Sequence, residues 1–151
     1  GLRRGQRDEA RAALAELRDL ARGIHPPILS DRGLEAAVTA LAARSPLAVT
    51  IEADVPHRLS PAIEGAAYFV VAEALANATK HSGARQVLVR LAKHPGRLVV
   101  EIADDGRGGA DPDGGGLVGL RRRVEALDGQ LRVVSPPGRG TTLHAEVPSQ
   151  P

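Results

Sequence analysis

Two pairs of short alternating segments, each joined through a Pro/Gly-containing turn, restrict the architecture of this chain more than any other feature. Residues 87–92 and 98–103 place Val, Leu or Ile at every second position and meet at His94-Pro95-Gly96-Arg97. Residues 131–134 and 142–147 repeat the arrangement around Ser135-Pro136-Pro137-Gly138-Arg139-Gly140. A period of two marks half-buried strands, and turn residues between two such runs mark hairpins. Hairpins impose antiparallel neighbours, which argues against an all-parallel doubly wound sheet. A fifth alternating run, 47–53, puts Leu47, Val49 and Ile51 on one face.

Helical stretches lie between these strands. Ser60-Pro61 opens a long one reaching about His81, with Ser as cap, Pro in the first turn and Gly83 after the end. A helix is expected from Asp31 or Arg32 to Arg44, capped by Ser30 or Asp31, and another over 117–127, closed by Asp128-Gly129. Residues 2–22 also read as a helix: Leu14, Leu17, Ala21 and Ile24 keep a three-to-four spacing until Gly23 and Pro26-Pro27 interrupt it. That helix cannot bury its stripe alone, so a partner helix is expected. The whole predicts an α+β two-layer sandwich, a mixed and mostly antiparallel sheet packed on helices and preceded by an N-terminal helix, with no internal repeat.

Composition removes several alternatives. Tyr68 and Phe69 are the only aromatic residues, so the core must be built from Leu, Val, Ile and Ala, and no stacking platform for single-stranded nucleic acid exists. Lys80 and Lys93 are the only lysines among 20 basic residues, and the net charge is +2. Despite the pI of about 9.7, nucleic acid is not an expected partner. The one dense basic block, Arg121-Arg122-Arg123, falls on a helix and reads first as a solvated face. Without cysteine there is neither a disulfide framework nor a thiolate metal site. No apolar run approaches the ~20 residues that span a bilayer. The chain opens without Met and in mid-helix, so a preceding segment is expected, one with room for a membrane anchor.

Four constellations could carry chemistry. Glu73, Asn77 and His81 lie four apart on the long helix and share one face, opposite Ala67, Val70, Val71, Ala74 and Leu75. An amide oxygen suits Mg²⁺, and a carboxylate beside it can hold a coordinated water or act as base; a solvated polar stripe is the plainer reading. Asp104-Asp105-Gly106-Arg107-Gly108 follows a strand. The carboxylate can accept from an exocyclic amine while glycines admit a flat ring, or the stretch is simply an acidic turn. Gly114-Gly115-Gly116-Leu117-Val118-Gly119-Leu120 opens a helix and either presents backbone N–H groups to a phosphate or forms a linker. Gly138-Arg139-Gly140-Thr141-Thr142 either completes a hairpin or lends Thr141 to a phosphate.

In this order the four motifs resemble the Bergerat-type ATPases, the superfamily of gyrase, ninety-kilodalton heat-shock chaperones, mismatch-repair ATPases and histidine kinases. The resemblance covers about 47–148. Within that superfamily the chain is similar to sensor kinases serving LuxR/NarL-type response regulators. The phrases that carry this are Leu20-Ala21-Arg22-Gly23-Ile24-His25-Pro26-Pro27-Ile28-Leu29, Asp31-Arg32-Gly33-Leu34, Glu73-Ala74-Leu75-Ala76-Asn77-Ala78-Thr79-Lys80-His81-Ser82 and Gly119-Leu120-Arg121-Arg122-Arg123-Val124, with a short lid between Gly108 and Gly116.

The resemblance implies ATP and Mg²⁺ as cofactors, with Asn77 on the metal and Glu73 supporting the metal or its water. It implies that Asp104 recognises the adenine amine and that Gly106 and Gly108 shape that pocket. Lys80 and His81 would lie near phosphate or ribose, and Gly116, Leu117, Gly119, Leu120 and Thr141 along the phosphate side. Asp105 and Arg107 occupy variable positions of the motif and have no implied role. It further implies the end of a dimerisation helix and a connector over 1–30, a catalytic domain over 31–151, a homodimeric full-length kinase and a cytoplasmic site of action.

The acceptor histidine is not evident. His25 is followed by Pro26-Pro27, which a helix interior does not admit, and no carboxylate follows it. His57, His94 and His144 fall on loops or strands. The acceptor is therefore expected upstream of Gly1. Two rival readings are an anti-sigma-factor-type serine kinase of the same superfamily and a non-catalytic nucleotide-binding scaffold.

Overall fold

The computed structural model describes residues 26–149, apart from Ser82 and Pro112. The helix expected over 2–22 and the histidine at position 25 lie outside the described residues. Nine elements follow: α1 (Pro27–Arg32), α2 (Leu34–Ala43), β1 (Ala48–Asp54), α3 (Pro61–His81), β2 (Gln86–His94), β3 (Arg97–Asp104), α4 (Gly115–Glu125), β4 (Gln130–Val134) and β5 (Thr141–Pro148). The strands form one sheet in the order β1-β2-β3-β5-β4. Only the β1–β2 pair is parallel, with α3 as its crossover; the other three pairs are antiparallel.

Alternation along the strands decides which face is covered. Val87, Val89 and Leu91 of β2, Leu98, Val100 and Ile102 of β3, and Leu143, Ala145 and Val147 of β5 are all buried. They meet Ala67, Val70, Val71, Ala74 and Leu75 of α3 and Leu117, Leu120 and Val124 of α4 in one core. An antiparallel sheet covered on one side presents polar residues on the other. Here register lines up Glu52, Arg90, Glu101, His144 and Arg132 across all five strands. Arg90 Nε donates to Glu52 at 2.9 Å. The His144 ring joins Glu101 and Glu146 at 3.1 Å each. Glu52–Arg90 and Glu101–His144 are direct cross-strand partners, whereas Glu146 lies two residues along β5 from His144. The His144 hydrogen bond, helped by Arg97, holds the Glu146 carboxyl below its ordinary range.

The long helix begins as its cap predicts, with Ser60 Oγ accepting from the Ile63 N–H at 3.4 Å. Two other boundaries differ from expectation. The single helix expected from Asp31 or Arg32 to Arg44 is two: α1 starts at Pro27, and Gly33 at φ +93° separates it from α2. Neither Ser30 nor Asp31 caps a helix, because both lie inside α1. Pro27 sits in the first turn, where a missing N–H costs nothing, so the Pro pair that interrupts one helical pattern also opens the next helix. The helix expected over 117–127 runs from Gly115 to Glu125. Its end tightens into a turn in which Asp128 N–H bonds the Glu125 carbonyl.

Candidate functional site

Asp104 ends β3 and Thr141 begins β5, and the two are register partners. Around them two loops meet backbone to backbone. A Cβ on Gly108 (φ +68°) would collide with the Pro136 carbonyl, and one on Gly140 (φ +75°) with the Asp104 carbonyl. Only glycine meets both demands, a left-handed backbone and an unfilled contact. Gly108→Ala is therefore expected to lower the unfolding free energy by more than about 2 kcal/mol, read from urea denaturation of both proteins.

Ser135 fastens the same junction. Its hydroxyl shares a 2.6 Å hydrogen bond with Thr141 Oγ1 and accepts from the Ala110 N–H at 2.9 Å, while its carbonyl accepts from Gly109. Asp111 shapes the next turn, its carboxylate accepting from Asp113 N–H at 2.9 Å and its carbonyl from Gly114. The chain then enters α4, whose N-cap Gly114 supplies no side-chain hydrogen bond. The first-turn N–H groups of a helix lack intrahelical partners, so α4 opens with donors directed out of its end.

A cleft of about 400 Å³ lies between α3, this loop and the α4 N-terminus, within the range of small-molecule sites. Asn77, Asp104, Gly108, Gly116, Leu117 and Thr141 line it, all expected from sequence. Ala74, Ile102 and Leu143 make its apolar floor. Ile102 and Leu143 belong to the alternating apolar rows of β3 and β5 and Ala74 to the apolar side of α3; sequence alone does not tell which end of such a row borders a cleft. Asp104 Oδ1 accepts from Gly106 N–H at 2.8 Å, and Asp104 itself lines the cleft. Gly106 thus acts by orienting Asp104 rather than by lining the space.

Gly116 faces the α3 row. A Cβ there would lie 3.7 Å from Glu73 Oε2 and 3.9 Å from Asn77 Oδ1, so its absence leaves a small oxygen-bordered space. Burial pushes the Glu73 carboxyl above its ordinary value, opposed by the charge of Lys80. Not every expected residue converges. Leu120 is fully buried in the core, Gly119 is exposed with nothing within 4 Å of a built Cβ, and Lys80 is exposed. The side chain of His81 lies outside the described residues. Asp105, assigned no role, accepts from the Arg85 and Gln86 N–H groups at 2.8 and 3.0 Å. These bonds hold its carboxyl below its usual range and anchor the start of β2. Among the described residues no group of three or more His, Cys, Asp or Glu side chains is placed to hold a metal, so any cation here would take most of its ligands from a substrate or water.

A one-sided mixed sheet, with a cleft between its longest helix and a glycine-bordered loop leading into a helix N-terminus, defines a nucleotide-binding α/β sandwich. Residues 62–151 match the family described as histidine kinase-, DNA gyrase B-, and HSP90-like ATPase. The chain belongs to that family. It is 34% identical over 147 residues to the sensor histidine kinase NarS of Mycobacterium tuberculosis, covering 91% of this chain and 34% of that protein. It is 32% identical over 143 residues to the oxygen sensor histidine kinase NreB of Staphylococcus carnosus, covering 88% and 41%. The chain thus spans well under half the length of these relatives. The histidine kinase domain of the blue-light activated kinase EL346 from Erythrobacter litoralis superposes with a TM-score of 0.65 at 28% identity, over 77% of this chain and 59% of that one. Among the described residues no helix is long and apolar enough to cross a membrane.

Proposed function

We propose that this chain is the catalytic domain of a sensor histidine kinase, binding ATP with Mg²⁺ in the cleft and donating the γ-phosphoryl group to a histidine on a dimerisation helix. The observation that carries this reading is the convergence on one cleft of an amine acceptor, Asp104, a hard amide ligand, Asn77, and the uncapped start of α4. Asp104 accepts the adenine amine, and Ile102, Leu143 and Ala74 bury the ring faces. The N–H groups at Gly116 and Leu117 donate to phosphate oxygens. Glu73 Oε2 and Asn77 Oδ1 both lie beside Gly116, and both are hard oxygen donors of the type that Mg²⁺ takes. When bound, Mg²⁺ neutralises charge on the phosphates. Glu73, kept from full solvation, is the residue poised to take a proton from the attacking imidazole or from an ordered water.

From that histidine the group passes to a response-regulator aspartate, and the regulator is of the LuxR/NarL type. Residues 1–30 then form the end of the dimerisation helix and its connector, 31–151 the catalytic domain. The full-length protein is a homodimer whose catalytic domain acts in the cytoplasm. What favours this over a serine kinase of the same superfamily is that similarity to sensor histidine kinases extends over 91% of the chain, well beyond the sandwich.

Thermal unfolding with and without Mg·ATP tests the cleft. At a hundred times its dissociation constant a ligand binding only the folded state adds ~2.7 kcal/mol. That gain is expected in the wild type and is expected to vanish in Asn77→Ala. No stabilisation at millimolar Mg·ATP would sink the proposal.

A further inference from the structure

Glu64, in the first turn of α3, is the charged residue the fold buries among the described residues, with 2% of its surface exposed. Its carboxylate is met by the Arg58 fork, Nε to Oε2 at 3.1 Å and Nη2 to Oε1 at 2.9 Å. The same Nη2 donates to the carbonyls of Leu29 and Ser30 at 3.2 and 3.1 Å. One guanidinium therefore ties the start of α3 to α1, where the chain enters the domain. Gly33 completes the joint: a Cβ there would lie 3.0 Å from Arg58 Cδ and 3.1 Å from Nε. None of these residues lines the nucleotide cleft. The phrase Asp31-Arg32-Gly33-Leu34, for which nucleotide chemistry has no use, lies at this joint.

Two physical features make the joint more than a surface ion pair. The Arg58 side chain is half exposed but that of Glu64 is buried, 52% against 3%, so parting the pair would leave the carboxylate as an uncompensated buried charge. A bidentate guanidinium also fixes direction as well as distance. Glu64 shares one helix with Glu73 and Asn77, about 14 and 20 Å further along at 1.5 Å per residue. A constraint on α1 at Glu64 is thus referred to the element that carries the site.

We propose that Arg58 and Glu64 are positioning residues: they hold α1, and with it the chain arriving at residue 26, in one orientation to α3, so that the acceptor histidine meets the cleft in register. This rests on the histidine-kinase reading above. Nucleotide binding does not depend on the pair; phosphoryl delivery does.

The test uses the full-length kinase, comparing wild type, Arg58→Ala, Arg58→Lys and Glu64→Gln. A fluorescent ATP analogue reports the dissociation constant, and phosphohistidine formation at saturating ATP reports the maximal rate. Arg58→Ala and Glu64→Gln are expected to keep the dissociation constant within about twofold and lose at least about tenfold in rate. Arg58→Lys, which keeps the charge and loses the fork, is expected between them and the wild type. Wild-type rates in the variants overturn the proposal, as does a dissociation constant that worsens in step with the rate, since the pair then merely supports the fold. Should the two harsher variants fail to fold, Arg58→Lys decides: a wild-type rate overturns the proposal and a lowered rate at unchanged affinity upholds it. A wild type that binds nucleotide but forms no phosphohistidine defeats the kinase reading itself, and this proposal with it.

Discussion

Asp104→Asn is expected to weaken ATP binding by about a hundredfold while sparing nucleotides that carry a 6-oxo purine. The reason lies in how the carboxylate is held. Oδ1 is committed to the Gly106 N–H at 2.8 Å, so an amide at this position must keep its oxygen there and turn its NH₂ to the cleft. A donor then faces the adenine amine, also a donor, whereas the oxygen of inosine or guanine can accept from it. A hydrogen bond to a charged group contributes about 1.5–3 kcal/mol, and its loss beside an unsatisfied donor falls at the upper end, roughly a hundredfold in affinity. Titration of wild type and variant with ATP and with ITP, by calorimetry, checks both halves. Equal loss for the two nucleotides would place the purine edge elsewhere than at Asp104.

Glu73→Gln is expected to lower phosphoryl transfer by about 10²–10⁴-fold, the usual contribution of a positioned proton acceptor, and at the same time to stabilise the domain at neutral pH. The second effect follows from the first residue's environment. Burial raises the Glu73 carboxyl in the folded protein, with Lys80 opposing it. A raised carboxyl means that the folded chain holds the proton more tightly than the unfolded one. Below the unfolded carboxylate value of about 4.3 both states are protonated and no penalty exists. The penalty grows as pH rises from there through the raised folded value, and above it is complete. The stabilisation by Gln should therefore be absent well below the unfolded carboxylate value, grow as pH rises above it and level off once pH has passed the raised folded value. Chemical denaturation of both proteins across pH 3–8 measures it, beside a transfer assay at neutral pH. A variant that transfers at the wild-type rate would remove Glu73 from the chemistry, and a pH-independent difference would remove burial as the cause of the shift.

The hairpins, the capped start of the long helix at Ser60-Pro61 and the covered face of each strand were legible in the sequence, because each is a short-range matter of period, turn residue or cap. So were the polar and glycine motifs, and the structure brings Asn77, Asp104, Gly108, Gly116, Leu117 and Thr141 to one cleft. Leu120 and Gly119 show where such reading stops. They sit in the same glycine-rich phrase as Gly116, but helical rotation turns Leu120 into the core and Gly119 to solvent. Asp104 and Asp105 were told apart in the sequence only by their places in the motif; that Asp105 holds the start of β2 through the Arg85 and Gln86 N–H groups depends on a distant segment.

Period and turn chemistry, then, determined the elements and their faces, since strands and helices declare which side is apolar within a few residues. Only the tertiary structure decided that β5 inserts between β3 and β4, which sets Thr141 beside Asp104 although they are far apart in the chain. It alone decided that Gly33 breaks the helix expected beyond Asp31, and that Glu64, an ordinary first-turn acid by sequence, is buried against Arg58. Each of these depends on a partner from a distant segment, and a carboxylate or glycine takes its role from what the fold places against it.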